Sequence, residues 1–174
     1  MSAVVGGLLS HHVCFAVDDL ERAAVTMARG LGAGPFFLMP HRPFDELVGP
    51  DGEPCSWEHE HAFGLLGGRL VELTRTDAAS PPALAAALAR RPVNHVAYLA
   101  PDLDAASAGL VAAGASVLLR ARRGPIALAY HEVPGLGCVE LLQQTGAHDA
   151  LAAALADAAA GWDGSRPFRA ESPL

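Results

Sequence analysis

Leu9–Leu20 reads LSHHVCFAVDDL, and Val93–Leu103 reads VNHVAYLAPDL. In each stretch a His-Val pair opens a short apolar run, an acidic residue closes it, and a leucine follows. His12 and His95 are 83 positions apart, as are Asp19 and Asp102, and Leu20 and Leu103. Repetition at one offset describes a chain built from two copies of a supersecondary unit. Alternation within the first copy puts His12, Cys14 and Ala16 on one strand face and Val13, Phe15 and Val17 on the other. It sends His11 to the face opposite His12. Asp18 or Asp19 then caps a helix carrying Leu20, Ala23, Ala24, Met27 and Leu31 at helical spacing, ended by Gly30, Gly32 and Gly34.

Working outward, Pro35–Met39 (PFFLM) predicts a short second strand, and His41–Pro54, rich in Pro and Gly, a loop. Trp57–Phe63 (WEHEHAF) alternates, with Trp57, His59, His61 and Phe63 on one side and Glu58, Glu60 and Ala62 on the other. A turn at Gly64, Gly67 and Gly68 leads into Arg69–Arg75 (RLVELTR). The first module, residues 1–76, is therefore β-α-β-β-β. A connector over 77–92 contains a short Ala-rich helix begun by Pro81–Pro82 and ended at Arg90–Arg91. The second module, 93–145, repeats the order. It runs through Val93–Leu99, a helix opened by Asp102, Ala115–Arg120, Ile126–Val133 and, after a turn at Pro134–Gly137, Cys138–Gln143. Residues 146–174 are a helix, His148–Ala160, and a tail without periodicity. The fold class is α+β, two βαβββ modules in one structural domain with a C-terminal helix and tail.

Composition narrows the function. The chain is 51% hydrophobic and 18% charged, which is that of an ordinary globular protein. A net charge of −7 argues against a nucleic-acid backbone as partner. Arg120, Arg122 and Arg123 form one basic cluster, read as a solvated loop or an anion site. Three cysteines without C-x₂-C spacing read as a setting in which thiols stay reduced. The opening MSAVVGGLLS lacks the features of a secretory leader, and no apolar run is long enough to span a bilayer. A cytoplasmic protein without membrane partners is the expectation.

The chemistry sits at repeat-matched positions. Each module has one His near the start of its first strand and one Glu in V-E-L of its last: His12 with Glu72, His95 with Glu140. The two glutamates are 68 positions apart, about 15 fewer than the histidines, a difference that the loop His41–Pro54 accounts for. A carboxylate in an apolar strand is costly to bury unless paired or bound to a cation. Two imidazoles and two carboxylates suit a divalent ion such as Zn, Mn, Co, Ni or Fe. Taken singly, each of these residues would more ordinarily be a hydrogen-bonded core His or a solvated Glu.

HHVCFAVDDLERA (His11–Ala23), NHVAYLAPDLDAA (Asn94–Ala106) and GCVELLQQ (Gly137–Gln144) resemble methylmalonyl-CoA epimerases and related glyoxalase-like proteins of the vicinal oxygen chelate superfamily, the glyoxalase/bleomycin-resistance fold, over about residues 8–145. The resemblance implies paired βαβββ modules forming an open, curved mixed sheet, with a metal in the cleft between them held by His12, Glu72, His95 and Glu140. It implies a divalent-metal-dependent isomerase, epimerase or lyase that works through an enolate-type intermediate on a small carbonyl or acyl substrate. Glu140 or Glu72 would act as the base. It also implies a homodimer. Alternatives within the fold are an iron-dependent ring-cleaving dioxygenase and a metal-free drug-binding resistance protein.

Further candidates line up around the cleft. Either His59 and His61 or Glu60 would face it, making His61 or Glu60 catalytic. Trp57 and Phe63 would wall a substrate pocket with Cys14 and Cys138, with fainter roles for Phe36, Phe37, His41 and His131.

Overall fold

The computed structural model describes residues 7–89 and 93–174. The first module comprises β1 (Leu9–Ala16), α1 (Leu20–Leu31), β2 (Phe36–Leu38), an inserted β3 (Glu46–Val48), β4 (Ser56–Leu66) and β5 (Arg69–Ser80). A short α2 (Pro82–Leu88) leads to β6 (Val93–Ala100), α3 (Leu103–Ala112), β7 (Ser116–Arg123), β8 (Ile126–Val133) and β9 (Gly137–Gln143). The chain ends with α4 (Gly146–Ala159) and β10 (Phe168–Arg169). The expected absence of a leader at the N-terminus rests partly on residues 1–6, and the expected end of the connector helix falls at 90–91. Both lie outside the described residues. No helix among those described is long and apolar enough to cross a membrane.

The strands form one mixed sheet in the order β10-β2-β4-β5-β1-β6-β9-β8-β7-β3. Within each half the first strand pairs in parallel with the last, β1 with β5 and β6 with β9. The halves meet through antiparallel pairing of β1 with β6. The repeat extends to the caps. Asp19 Oδ1 accepts from Arg22 N at 2.9 Å, and Asp102 Oδ1 accepts from Ala105 N at 2.9 Å. Each cap satisfies a donor that the helix start leaves open, a contribution of about 1 kcal/mol. α1 buries Leu20 and Ala24 against Phe36, Val71 and Leu73, while α3 buries Leu103 and Ala106 against Val139 and Leu141.

Two sequence readings need correction. The segment 41–54 is not all loop, because β3 crosses to the other module and pairs with β7, Glu46 opposite Arg122. Three residues between prolines and glycines are too few to show a period. Gly64 belongs to β4, and only Gly67 and Gly68 turn, both at positive φ. A Cβ at Gly64 would meet the Phe36 ring at 2.7 Å, so glycine lets that ring pack flat on the strand. The tail packs on the body: β10 adds to β2 in parallel, and Trp162 covers Gly34.

His131 belongs to the α3 side of the sheet, not to a cleft. It is wholly buried, and its Nε2 lies 2.8 Å from Ser107 Oγ, which accepts from Arg120 Nη2 at 2.9 Å. Burial, aided by Arg120, lowers its pKa below the usual 6.5. The unfolded chain therefore takes up the proton first as pH falls, so this group's share of stability is complete above pH 6.5 and lost below it. The same direction holds at His11, His59, His61 and His148. Chelator-treated protein is expected to lose unfolding free energy between pH 7 and pH 5. His131→Gln should flatten that slope by up to about 1.4 kcal/mol per pH unit, the worth of one proton, measured by denaturant titration at several pH values.

Candidate functional site

The central strands carry the histidines and their parallel neighbours carry the acids. His12 is on β1 and Glu72 on β5; His95 is on β6 and Glu140 on β9. Cys14 stands opposite both Glu72 and His95 in the ladder, which fixes the two halves in register. Four side-chain atoms converge as a result. His12 Nε2 lies 3.1 Å from His95 Nε2, 2.8 Å from Glu72 Oε2 and 3.4 Å from Glu140 Oε2. His95 Nε2 is 3.3 Å from each of the same two oxygens. All four residues are buried.

This donor set fits a divalent ion on two counts. Bonds of about 2.0–2.2 Å at tetrahedral angles hold donor atoms about 3.3 Å apart, close to the spacings found. Two carboxylates beside two neutral imidazoles carry a charge of −2, which a dication cancels and which a dry interior otherwise penalises heavily. Without an ion the network balances itself with protons. Burial works against the charge of Glu72, but hydrogen bonds from His12 and His95 outweigh it and hold the carboxyl well below its usual range. Burial also opposes charging of His95, yet Cys14, Glu140 and Glu72 raise its pKa well above 6.5.

A second layer repeats with the first. His95 Nδ1 donates to Asn94 Oδ1 at 2.9 Å, and Asn94 Nδ2 donates to Leu88 O at 2.5 Å, which fixes the amide's orientation. In the other half His12 Nδ1 lies 2.7 Å from His11 Nδ1. Both ligand-type histidines are thus held through Nδ1 by the residue just before them, leaving Nε2 for the centre. Simple alternation placed His11 on the other face. The β1–β6 register instead slips between Ser10 and His12, and the bulge there turns His11 toward the cleft.

The centre opens into a cavity of about 130 Å³. Trp57, His59, His61 and Phe63 of β4 line it together, as do His11, His12, Glu72 and Glu140. Trp57 stacks on His59 at 4.0 Å and His59 on His61 at 5.3 Å. Burial pushes His59 down to about 4 and lowers His61 too, so both imidazoles are neutral near pH 7. Glu60 points away from the cavity: it is paired with Arg75 at 3.0 Å on the outer side of β4, so the candidate catalytic role drawn for it from sequence does not stand. Cys14 and Cys138 are buried and line no part of the cavity, contrary to the expected wall. Burial, and then Glu72, pushes the Cys14 thiol upward, so it stays protonated. Phe36 packs beneath α1, Phe37 against α4, and His41 is exposed. A larger groove of about 540 Å³ lies beside α1, lined by Phe15, Val17, Met27 and Leu31, and no metal-type cluster sits there among the described residues.

Sequence reasoning missed Phe44, Tyr130, His148 and Leu151, which also line the cavity, and left Arg123, another lining residue, open between a solvated loop and an anion site. Phe44 arrives with the crossing segment before β3, and His148 and Leu151 with α4. Only the aromatic and histidine content of those segments hinted at it. Burial, then Glu140 and Glu72, raises Tyr130 well above its usual value, so a neutral phenol adjoins the centre.

Residues 11–130 match the family model described as the glyoxalase/bleomycin resistance protein/dioxygenase superfamily. Among solved structures, methylmalonyl-CoA epimerase from Mycobacterium tuberculosis is similar at a TM-score of 0.55 and 21% identity, covering 86% of this chain and 95% of that one. A hypothetical protein from Bacillus halodurans C-125 is similar at 0.53 and 13%, covering 80% and 96%. No curated protein matches the chain.

Chelator-stripped protein is expected to take up one divalent ion per chain, measured by competition with a colorimetric chelator. Free ion at 100 times Kd should add about 2.7 kcal/mol of stability. His95→Ala and Glu140→Ala should abolish both effects. Asn94→Ala keeps all four ligand-type residues but frees His95 Nδ1, and should weaken uptake about 10- to 100-fold.

Proposed function

The chain belongs to the glyoxalase/bleomycin resistance protein/dioxygenase superfamily, and on that premise we propose that it is a divalent-metal-dependent isomerase, epimerase or lyase. It would act through an enolate-type intermediate on a small carbonyl or acyl substrate. The observation that carries this reading is the convergence of His12, Glu72, His95 and Glu140, one pair from each half. Those four residues would hold the ion. An ion so placed supplies Lewis acidity toward a substrate carbonyl oxygen.

The remaining chemistry belongs to the chain. The neutral His61 imidazole lines the cavity and is free of the ligand set, so it can take or return a proton at the carbon beside the carbonyl. Glu72 and Glu140 are the other candidate bases, each already a proton acceptor toward the histidines. Trp57, Phe63 and Leu142 exclude water and so keep the reacting carbon in an apolar setting. A cavity of about 130 Å³ suits a small reacting head; anything longer must extend past the mouth. Epimerisation, named for the Mycobacterium tuberculosis neighbour, is removal and return of one such proton and accords with this reading.

Metal-loaded protein in D₂O is expected to exchange the proton beside the carbonyl, at carbon 2 of a small 2-substituted acyl thioester or carbon 3 of a 2-oxoacid, followed by NMR. Glu140→Gln and His61→Gln should each slow exchange about 100-fold or more, and His61→Gln should keep full metal uptake. Oxygen uptake on catechols without any proton exchange would replace this reading with ring cleavage.

A further inference from the structure

The arginine cluster on β7 is divided by the fold. Arg120 pairs with Asp104 at 2.9 Å, and Arg122 lies 4.0 Å from Glu46. Arg123 instead turns into the cavity, where its guanidinium carbon lies 4.2 Å from the Phe44 ring centre. It forms no salt bridge with a carboxylate among the described residues, and its Nε is enclosed without a hydrogen-bond partner. His59 Nδ1, on the facing wall, is enclosed and unpartnered as well. His11 Nε2 is a third such atom on the lining. Unpaired polar atoms out of water cost free energy, so several in one small cavity, with the Arg123 Nε–H a certain donor, mark a place where a ligand's polar atoms belong. Burial lowers the Arg123 pKa from its usual value, but a guanidinium still keeps its charge at neutral pH.

The cavity therefore holds two kinds of recognition. One wall carries the candidate metal centre, and another carries a guanidinium and a neutral imidazole donor. Apolar groups separate them, Trp57, Leu128 and Leu142 among them. Glu72 and Glu140 share the cavity, but an ion at the centre neutralises both.

We propose that Arg123, aided by His59, anchors a terminal anionic group of the substrate whose oxygenated head meets the metal centre. The substrate class is thus a small acid with two vicinal oxygens at one end and a carboxylate or phosphate at the other. This inference rests on the metal-centre reading above. A guanidinium can bind either anion through two parallel N–H donors, and the Phe44 ring holds its plane.

The test uses the full chain loaded with cobalt and three probes: 2-oxoglutarate, 2-oxopentanoate and 2-oxo-4-phosphonobutanoate. All share a chelating 2-oxoacid head; the tails are carboxylate, methyl and phosphonate. Calorimetry on wild type should show one or both anionic tails binding at least about tenfold more tightly than the methyl tail, and the tighter of the two names the anion. Arg123→Gln should erase the preference, and Arg123→Lys should retain part of it. Cobalt uptake, measured on the same samples, shows that each variant is folded. Equal affinity for all tails, or a preference that survives Arg123→Gln in metal-loaded protein, overturns the anchor and leaves the metal reading standing. A wild-type chain that takes up no cobalt overturns both.

Discussion

Two carboxylates and two imidazoles, all buried, meet at the seam where β1 and β6 run antiparallel. Among the described residues no other cluster of metal-type side chains is as tight. Were the seam to slip by one residue, every side chain of the moved strand would change face and the four would part. The register is therefore held from several directions. β1 is clamped between β5 and β6, β6 between β1 and β9, and each flanking pair is parallel. The aspartate caps at the ends of both central strands then set where α1 and α3 leave the sheet. The cores under those helices bury the faces that do not carry the site.

Much of this was readable from residues. His12 and His95, with Asp19 and Asp102, announce the repeat at one offset, and the V-E-L acids mark the last strand of each copy. Strand alternation correctly grouped Trp57, His59, His61 and Phe63 on one side of β4, while leaving open which side faced the cleft. That choice depends on what neighbours the strand, which a lone alternating pattern does not encode. The unread parts have the same origin. A bulge at His11 adds one residue to one strand, and alternation assumes none. β3 is three residues long and finds its partner 72 to 76 positions later, at β7. Cys14 and Cys138 share the right strand face, but sit deeper than the cavity floor.

The second layer around the histidines shows how a repeat can diverge and keep its mechanics. Position 11 is His and position 94 is Asn, yet both engage Nδ1 of the histidine that follows. One is an amide tied to a helix carbonyl. The other is an imidazole near His148, whose ring centre is 5.3 Å away. Each sits at a register shift of the β1–β6 pair, His11 between Ser10 and His12 and Asn94 opposite the step from Cys14 to Phe15, so the irregularity repeats along with the contact. Different residues thus engage the same ring nitrogen, and the Asn94 amide oxygen, which can only accept, fixes the His95 tautomer that leaves Nε2 open.

Symmetry and asymmetry divide the labour. The four ligand-type residues come in repeat-related pairs, because an ion with near-equivalent bonds is indifferent to which half supplies each donor. A substrate with distinct ends is not indifferent. The groups that would distinguish those ends belong to parts that the repeat lacks or has altered. Phe44 comes from the segment before β3, His148 and Leu151 from α4, and the imidazoles of β4 have no counterparts on β8, where Leu128 and Tyr130 line the cavity instead. One half of the cavity is consequently rich in nitrogen and the other in hydrocarbon. An asymmetric cavity over a symmetric centre holds the His61 imidazole to one side of whatever carbon would be bound there. On the proposed reading, the side on which His61 stands would decide the face from which that base exchanges the carbon's proton.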